Sequence, residues 1–230
     1  VVELANYLNA CGARIHGAGN SKIIIEGVPG LEAKRWNVLF DRIEAGTYLV
    51  AGAITNGHVK VNKINPKTIE NISEKLQSMG VDVLVGDDFV EVDATSTDLK
   101  AQNLNTEPFP GFPTDMQAQF MALNTIASGK CVIEETVFEN RFQHVSQLIK
   151  MGADISLDKN KAHVTGVSNL VGAKVSASDL RASASLVLAG LVGKNKTMIN
   201  DIYHIDRGYE CIEEKLNKLG AEIIREPVVS

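Results

Sequence analysis

Two aspartates stand at matching places in this chain, each opening a stretch of small and apolar residues. Asp115 opens Asp115-Met116-Gln117-Ala118-Gln119-Phe120, and Asp179 opens Asp179-Leu180-Arg181-Ala182-Ser183-Ala184-Ser185. Arginines accompany them: Arg181 lies two residues beyond Asp179, Arg141 follows Asn140, and Arg207 lies in Ile205-Asp206-Arg207-Gly208-Tyr209. Carboxylates converging with guanidinium groups suit proton transfer beside a bound anion. The carboxylate takes or gives the proton, while the guanidinium fork holds a carboxylate or phosphate. The same residue types also serve as helix caps and surface ion pairs, most of which do little. Thr114 or Asp115 stands where an N-cap belongs, just after segment 107–113, which holds three of the six prolines and is therefore stiff and extended.

The remaining chemistry-bearing residues read more plainly. Asp41, followed by Arg42 and Glu44, is the counterpart of Asp115 and Asp179 one unit earlier and reads as a cap with a local ion pair. His144 interrupts an apolar helix face where the other units carry Leu4, Ile72 and Ile212, which suits a satisfied, partly buried histidine better than a catalytic one. Phe138 is either core or a wall for ring stacking. Walker A, GxGxxG, HExxH and GxSxG patterns are absent, and no His/Cys spacing suits a metal. The three cysteines, Cys11, Cys131 and Cys211, are scattered and fall on apolar faces, so all three are expected in the core of a protein from a reducing cytosol.

Positioning these residues requires a repeated framework, and the sequence contains one. Four segments share an amphipathic helix, a glycine, and then an alternating strand, with glycines Gly12, Gly80, Gly152 and Gly220 spaced 68, 72 and 68 apart. Leu occupies the fourth position before each glycine (Leu8, Leu76, Leu148, Leu216), and each glycine is expected to close its helix in the left-handed region. Between them run second helices, rich in alanine and other small residues, that begin near Asp41, Asp115 and Asp179 and end at Gly57, Gly129 and Gly193. Strands are expected at 58–64, 130–137 and 196–203, and a hairpin pairs 81–85 with 89–92. The unit is β-α-β-α-β-β, about 70 residues long, and the chain holds the tail of one unit, two full units and a fourth cut short. The fold is therefore α/β, with repeated units packed around an axis.

Composition narrows the class. The chain has 230 residues, 44% hydrophobic and 22% charged, which is ample for a sizeable core. No apolar run approaches the roughly 18 residues that span a bilayer, and no signal peptide is visible. A net charge of −5 argues against a general nucleic-acid or anionic-membrane surface while leaving room for a local arginine cluster. The chain opens at Val1-Val2-Glu3-Leu4 without methionine, which suggests a fragment or a processed chain.

Four ordered motifs carry a resemblance that covers essentially the whole chain. They are Phe112-Pro113-Thr114-Asp115-Met116-Gln117-Ala118-Gln119-Phe120, Phe138-Glu139-Asn140-Arg141-Phe142, Asp179 to Ser185, and His204-Ile205-Asp206-Arg207-Gly208-Tyr209-Glu210. In these the sequence resembles the UDP-N-acetylglucosamine enolpyruvyl transferases (1-carboxyvinyltransferases) of bacterial peptidoglycan synthesis. The resemblance implies two domains, each an inside-out barrel of three β-α-β-α-β-β units around a pseudo-threefold axis, with a cleft between them. Residues 1–35 would end the first domain and 36–230 would form most of the second, so the chain would be the C-terminal part.

The resemblance also implies roles. Asp115 would contact the sugar 3-hydroxyl of UDP-N-acetylglucosamine and act as the general base for its attack on phosphoenolpyruvate. Asp179 would assist proton transfer, and Arg207 with Arg181 would clamp phosphoenolpyruvate. Val137, Phe138 and Arg141 would line the nucleotide-sugar site. No cofactor or metal is implied, and the protein would be cytoplasmic, with no nucleic-acid or membrane partner. The family's loop cysteine, its Lys-Asn pair and its loop arginine match nothing here, so the chain would need the N-terminal half as its partner for activity. Two alternatives stay open: 5-enolpyruvylshikimate-3-phosphate synthase, which shares the fold and the enolpyruvyl donor, and a non-catalytic repeat-built binding domain.

Overall fold

A computed structural model describes residues 1–226; the last four positions of the expected second domain, 227–230, lie outside the described residues. The chain divides into two compact units, residues 1–41 and 42–230. The smaller unit holds helix α1 (Val2–Ala10) and strands β1 (Arg14–His16) and β2 (Ile24–Glu26), which pair antiparallel. Within it the Trp36 indole N–H donates to Glu3 at 2.7 Å, and the Tyr7 and Trp36 rings lie 5.7 Å apart.

The larger unit repeats one pattern. It starts with α2 (Arg42–Ile54), β3 (His58–Asn62), α3 (Glu70–Ser78) and the hairpin β4 (Asp82–Val85) and β5 (Phe89–Asp93). It continues with β6 (Leu104–Asn105), α4 (Gln117–Ile126), β7 (Lys130–Glu134), α5 (Val145–Lys150), β8 (Asp154–Asp158) and β9 (Lys161–Thr165). The last repeat has β10 (Leu170–Val171), β11 (Lys174–Ser176), α6 (Leu180–Val192), β12 (Gly193–Lys194), β13 (Met198–Asn200) and α7 (Ile212–Lys218).

The sheets are ordered β3-β5-β4 and β6-β7-β9-β8, with β10-β12 and β11-β13 as separate parallel pairs. The run from β6 to β9 is one whole β-α-β-α-β-β unit: β6 and β7 lie parallel across the α4 crossover, and β8 and β9 form the hairpin. The first of the two expected full units lacks its opening strand, since residues 27–41 form none.

Helices α2, α4 and α6, one from each repeat, touch one another pairwise, and sheet strands pack against α2 and α4. The sequence explains this inversion. Along β5, Val90 and Val92 are buried between more exposed neighbours, and along β9 Ala162 and Val164 do the same. Each of these sheets thus presents one apolar face to a central helix and one polar face to water. The helices, surrounded by protein, are buried nearly all round, and α4 is buried from Gln117 to Thr125, its polar Gln117, Gln119, Asn124 and Thr125 included. Small residues permit the close approach: a Cβ added at Gly46 of α2 would come within 2.7 Å of Ile72 Cδ1 and 3.1 Å of Met116 Cε. Within the larger unit the three repeats are thus arranged around a pseudo-threefold axis with helices inside and sheets outside. Among the described residues the strands form separate small sheets and no closed β-barrel.

Gly12, Gly80, Gly152 and Gly220 all take positive φ, between 89° and 101°, and close their helices as the repeat requires. All three expected strands end earlier than the alternation suggested: β3 and β13 stop where Lys63 and Asp201 turn into the left-handed region at φ 59° and 58°, and β7 stops at Glu134, before the loop that carries Val137. Cys211 corrects another expectation. It is exposed and takes φ 46° just before α7, whereas Cys11 and Cys131 are buried.

Candidate functional site

Asp115 does not cap its helix. Pro113 occupies the N-cap of the 3₁₀ turn Thr114–Met116, Met116 that of α4, and neither makes a side-chain cap bond. The Asp115 carboxylate faces two arginines instead. Arg141 Nη2 donates to Oδ1 at 2.7 Å and Arg181 Nη2 donates to Oδ2 at 3.5 Å. The arginine side chains are 13% and 14% exposed, and that of Asp115 is 39% exposed, so the carboxylate is reachable while its partners are covered. Burial pushes the Asp115 carboxyl upward. The Arg141 hydrogen bond and the charges of Arg181 and Arg141 outweigh that and hold it below the usual aspartate value. Near neutral pH it is a carboxylate.

Asp179 is the true cap. Its Oδ1 accepts from the backbone N–H groups of Arg181 and Ala182, both at 2.9 Å, at the start of α6. The two aspartates are therefore connected through Arg181, which gives its backbone N–H to one and its guanidinium to the other. Arg181 Nη1 also lies 3.4 Å from Tyr209 Oη. That hydroxyl lies 2.9 Å from Thr47 Oγ1 and accepts from Gln119 Nε2 at 3.3 Å. One buried phenol thus joins α2, α4 and α6 beneath Arg181.

The loop after β7 supplies the wall. Val137 and Phe138 are 41% and 58% exposed, and the Phe138 ring lies 5.0 Å from the Arg141 guanidinium carbon. His144, expected to be satisfied and partly buried, is 1% exposed and its Nε2 has no partner. Desolvation lowers its pKa to about 4, so it is neutral near pH 7; Asp179 pulls the other way. Arg207 ends the 3₁₀ turn Ile202–Arg207, which packs on α6, and its side chain is exposed. Among the described residues it makes no hydrogen bond to the Asp115 cluster. Its neighbour Asp206 is held by Arg225 Nη2 at 2.5 Å, and Arg225 Nε reaches Glu213 at 3.0 Å.

The structure thus brings Asp115, Arg141, Arg181 and Asp179 together, with Val137 and Phe138 alongside, and leaves Arg207 on its own turn. Sequence reasoning missed Thr47, Gln119 and Tyr209. A signal existed for two of them: Thr47, Gln119 and Ser183 each stand ten residues before the glycine that ends their helix, a polar position repeated in all three central helices. Among the described residues no group of His, Cys, Asp and Glu could hold a metal ion, and no helix is long and apolar enough to cross a membrane.

Known enolpyruvyl transferases resemble this chain in sequence and in fold. The profile of the family described as EPSP synthase (3-phosphoshikimate 1-carboxyvinyltransferase) matches residues 1–216. UDP-N-acetylglucosamine 1-carboxyvinyltransferases from Coxiella burnetii strains Dugway 5J108-111 and RSA 493 / Nine Mile phase I are 56% identical over 225 residues. That covers 98% of this chain and 52% of theirs, so the chain spans about half the length of these curated relatives. Among solved structures, the enolpyruvyl transferase NikO from Streptomyces tendae superposes with a TM-score of 0.86 at 28% identity, over 96% of this chain and 53% of that one. EPSP synthase from Acinetobacter baumannii shares the fold, with a TM-score of 0.73 at 21% identity, over 96% of this chain and 55% of that one.

Proposed function

The chain belongs to the EPSP synthase (3-phosphoshikimate 1-carboxyvinyltransferase) family, and from that premise we propose that it is the C-terminal part of a UDP-N-acetylglucosamine 1-carboxyvinyltransferase. The reaction moves the enolpyruvyl group of phosphoenolpyruvate to the sugar 3-hydroxyl and releases phosphate, as the first committed step of peptidoglycan synthesis in the cytoplasm. In this reading residues 1–35 finish one enolpyruvyl transferase domain and 36–230 form most of a second. The rest of the enzyme closes the cleft.

The observation that supports this reading best is the ionised, reachable Asp115 held between Arg141 and Arg181. The sugar 3-hydroxyl gives its proton to Asp115 as its oxygen bonds to C2 of phosphoenolpyruvate, while a general acid in the cleft protonates C3. The conjugate base of that acid then takes back a C3 proton as phosphate leaves C2, which forms the enol ether product. Asp179 faces the positive charge that develops at C2 and assists proton transfer, and Arg181 with Arg207 holds the anionic donor. Val137, Phe138 and Arg141 line the nucleotide-sugar side. Neither cofactor nor metal takes part.

The alternative, 5-enolpyruvylshikimate-3-phosphate (EPSP) synthase, is the weaker fit, because identity falls from 56% with the sugar-nucleotide enzymes to 21% with an EPSP synthase. Phosphate release from phosphoenolpyruvate plus UDP-N-acetylglucosamine tests the proposal. Residues 1–230 alone are expected to be inert, and the chain joined to its amino-terminal half is expected to turn over. Turnover with shikimate 3-phosphate in place of the sugar nucleotide, or none with either acceptor, would overturn it.

A further inference from the structure

Glu135, the residue directly after β7, is 4% exposed, and its carboxylate accepts four hydrogen bonds from three separate segments. Oε1 accepts from the Thr106 hydroxyl at 2.8 Å and from the backbone N–H groups of Val137 and Phe138, both at 3.0 Å. Oε2 accepts from the Thr114 hydroxyl at 2.8 Å. Thr114 is the residue before Asp115, on the same 3₁₀ turn. One carboxylate therefore ties the turn that carries the candidate base to the loop that carries the candidate sugar-nucleotide wall.

The anchor is itself fixed. The Glu135 backbone N–H donates to the Asn160 carbonyl at 2.9 Å, and the Asn160 amide donates to the Glu135 carbonyl at 3.1 Å. Thr106, fully buried, also accepts the Thr136 backbone N–H at 2.9 Å. Among the described residues no Lys, Arg or His forms an ion pair with Glu135. A buried carboxylate without a counter-charge is costly unless hydrogen bonds replace its water, and here neutral donors fill both oxygens. The fold does not require an acid at this place. The equivalent residues are Lys63 after β3 and Asp201 after β13, and both are exposed. The buried carboxylate occurs in the repeat that also carries Asp115.

We infer that Glu135 is a positioning residue for the proposed reaction: its carboxylate sets the distance between Asp115 and the Val137–Phe138 wall, and so the approach of the sugar hydroxyl to its base. The inference rests on the function proposed above. Small displacements of a reacting group cost one to two orders of magnitude in rate, so each half of the tether has its own kinetic signature.

The test uses the enzyme that carries this chain together with its amino-terminal half, with kcat and KM measured per folded molecule. Thr114→Val cuts only the link to the Asp115 turn and is expected to lower kcat about tenfold to a hundredfold, with KM for UDP-N-acetylglucosamine within about twofold. Glu135→Ala releases both links and is expected to lower kcat and also raise that KM. Glu135→Gln keeps an oxygen for the two backbone amides and is expected to restore KM. Kinetics within twofold of wild type for both Thr114→Val and Glu135→Gln, or a loss confined to melting temperature, would overturn the inference. If Glu135→Ala does not fold, Thr114→Val and Glu135→Gln decide. A wild-type enzyme inert toward both substrates would overturn the proposed function, and this inference with it.

Discussion

Tyr209 and Thr47, 162 positions apart in the chain, meet hydroxyl to hydroxyl at 2.9 Å in the middle of the larger unit. The contact gathers α2, the turn before α7 and, through Gln119 and Arg181, both other central helices. Tyr209→Phe removes the shared hydroxyl and nothing else. Gln119 still reaches Thr47 at 3.1 Å, so the network is thinned and not abolished. The expected loss is about 1–2 kcal/mol, the usual cost of deleting one partner of a buried hydrogen bond. Denaturant unfolding of the variant against wild type measures it, and an unchanged midpoint would show that the hydroxyl contributes nothing.

Asp179 has two separable parts to play. As the cap of α6 it needs an oxygen acceptor, and in the proposed chemistry it needs a charge. Asp179→Asn keeps the acceptor and is expected to hold stability within a few tenths of a kcal/mol, while Asp179→Ala costs about 1 kcal/mol. Transfer activity of the joined enzyme is expected to fall at least tenfold in both. Full activity in Asp179→Asn would leave the residue as a cap alone.

His144 should make stability pH-dependent. Its folded pKa, about 4, lies below the ordinary 6.5, so the unfolded chain binds the proton more readily than the folded one. Its neutral form is accommodated fully above pH 6.5, and stability falls as the pH drops from there toward 4. At about 1.4 kcal/mol per pKa unit the whole loss is about 3 kcal/mol. The difference in unfolding free energy between wild type and His144→Gln, followed from pH 7.5 to 4.5, is expected to shrink across this window. A difference that stays level would mean that the ring titrates alike in both states.

The thiols offer a direct check of burial. Cys211 is exposed, whereas Cys11 and Cys131 are buried, and burial pushes the Cys131 thiol up to about 11. A thiol reagent at pH 8 is expected to label one cysteine quickly, with the other two reacting only after unfolding. Mass mapping that found Cys131 labelled in the folded protein would contradict the packing of β7 against its neighbours.

The repeat was legible in the sequence because it rests on local physics. A glycine that alone tolerates φ near 90° stops each outer helix, and alternation sorts strand residues into two faces, so Gly80, Gly152 and the 82–93 hairpin follow from spacing. The pairing of α2, α4 and α6 follows from their small, apolar character. The shared start of the second helices also pointed to Asp115 and Asp179, but their local patterns are alike and suggest two caps. Only the tertiary structure separated them. Asp179 turns its carboxylate onto its own helix, whereas Asp115 turns outward because Arg141, from a loop 26 positions away, and Arg181, 66 positions away, lie across from it. Glu135 was invisible for the same reason. Its partners Thr106 and Thr114 lie 29 and 21 positions away, and no helical or strand period encodes a bond that depends on where three segments meet.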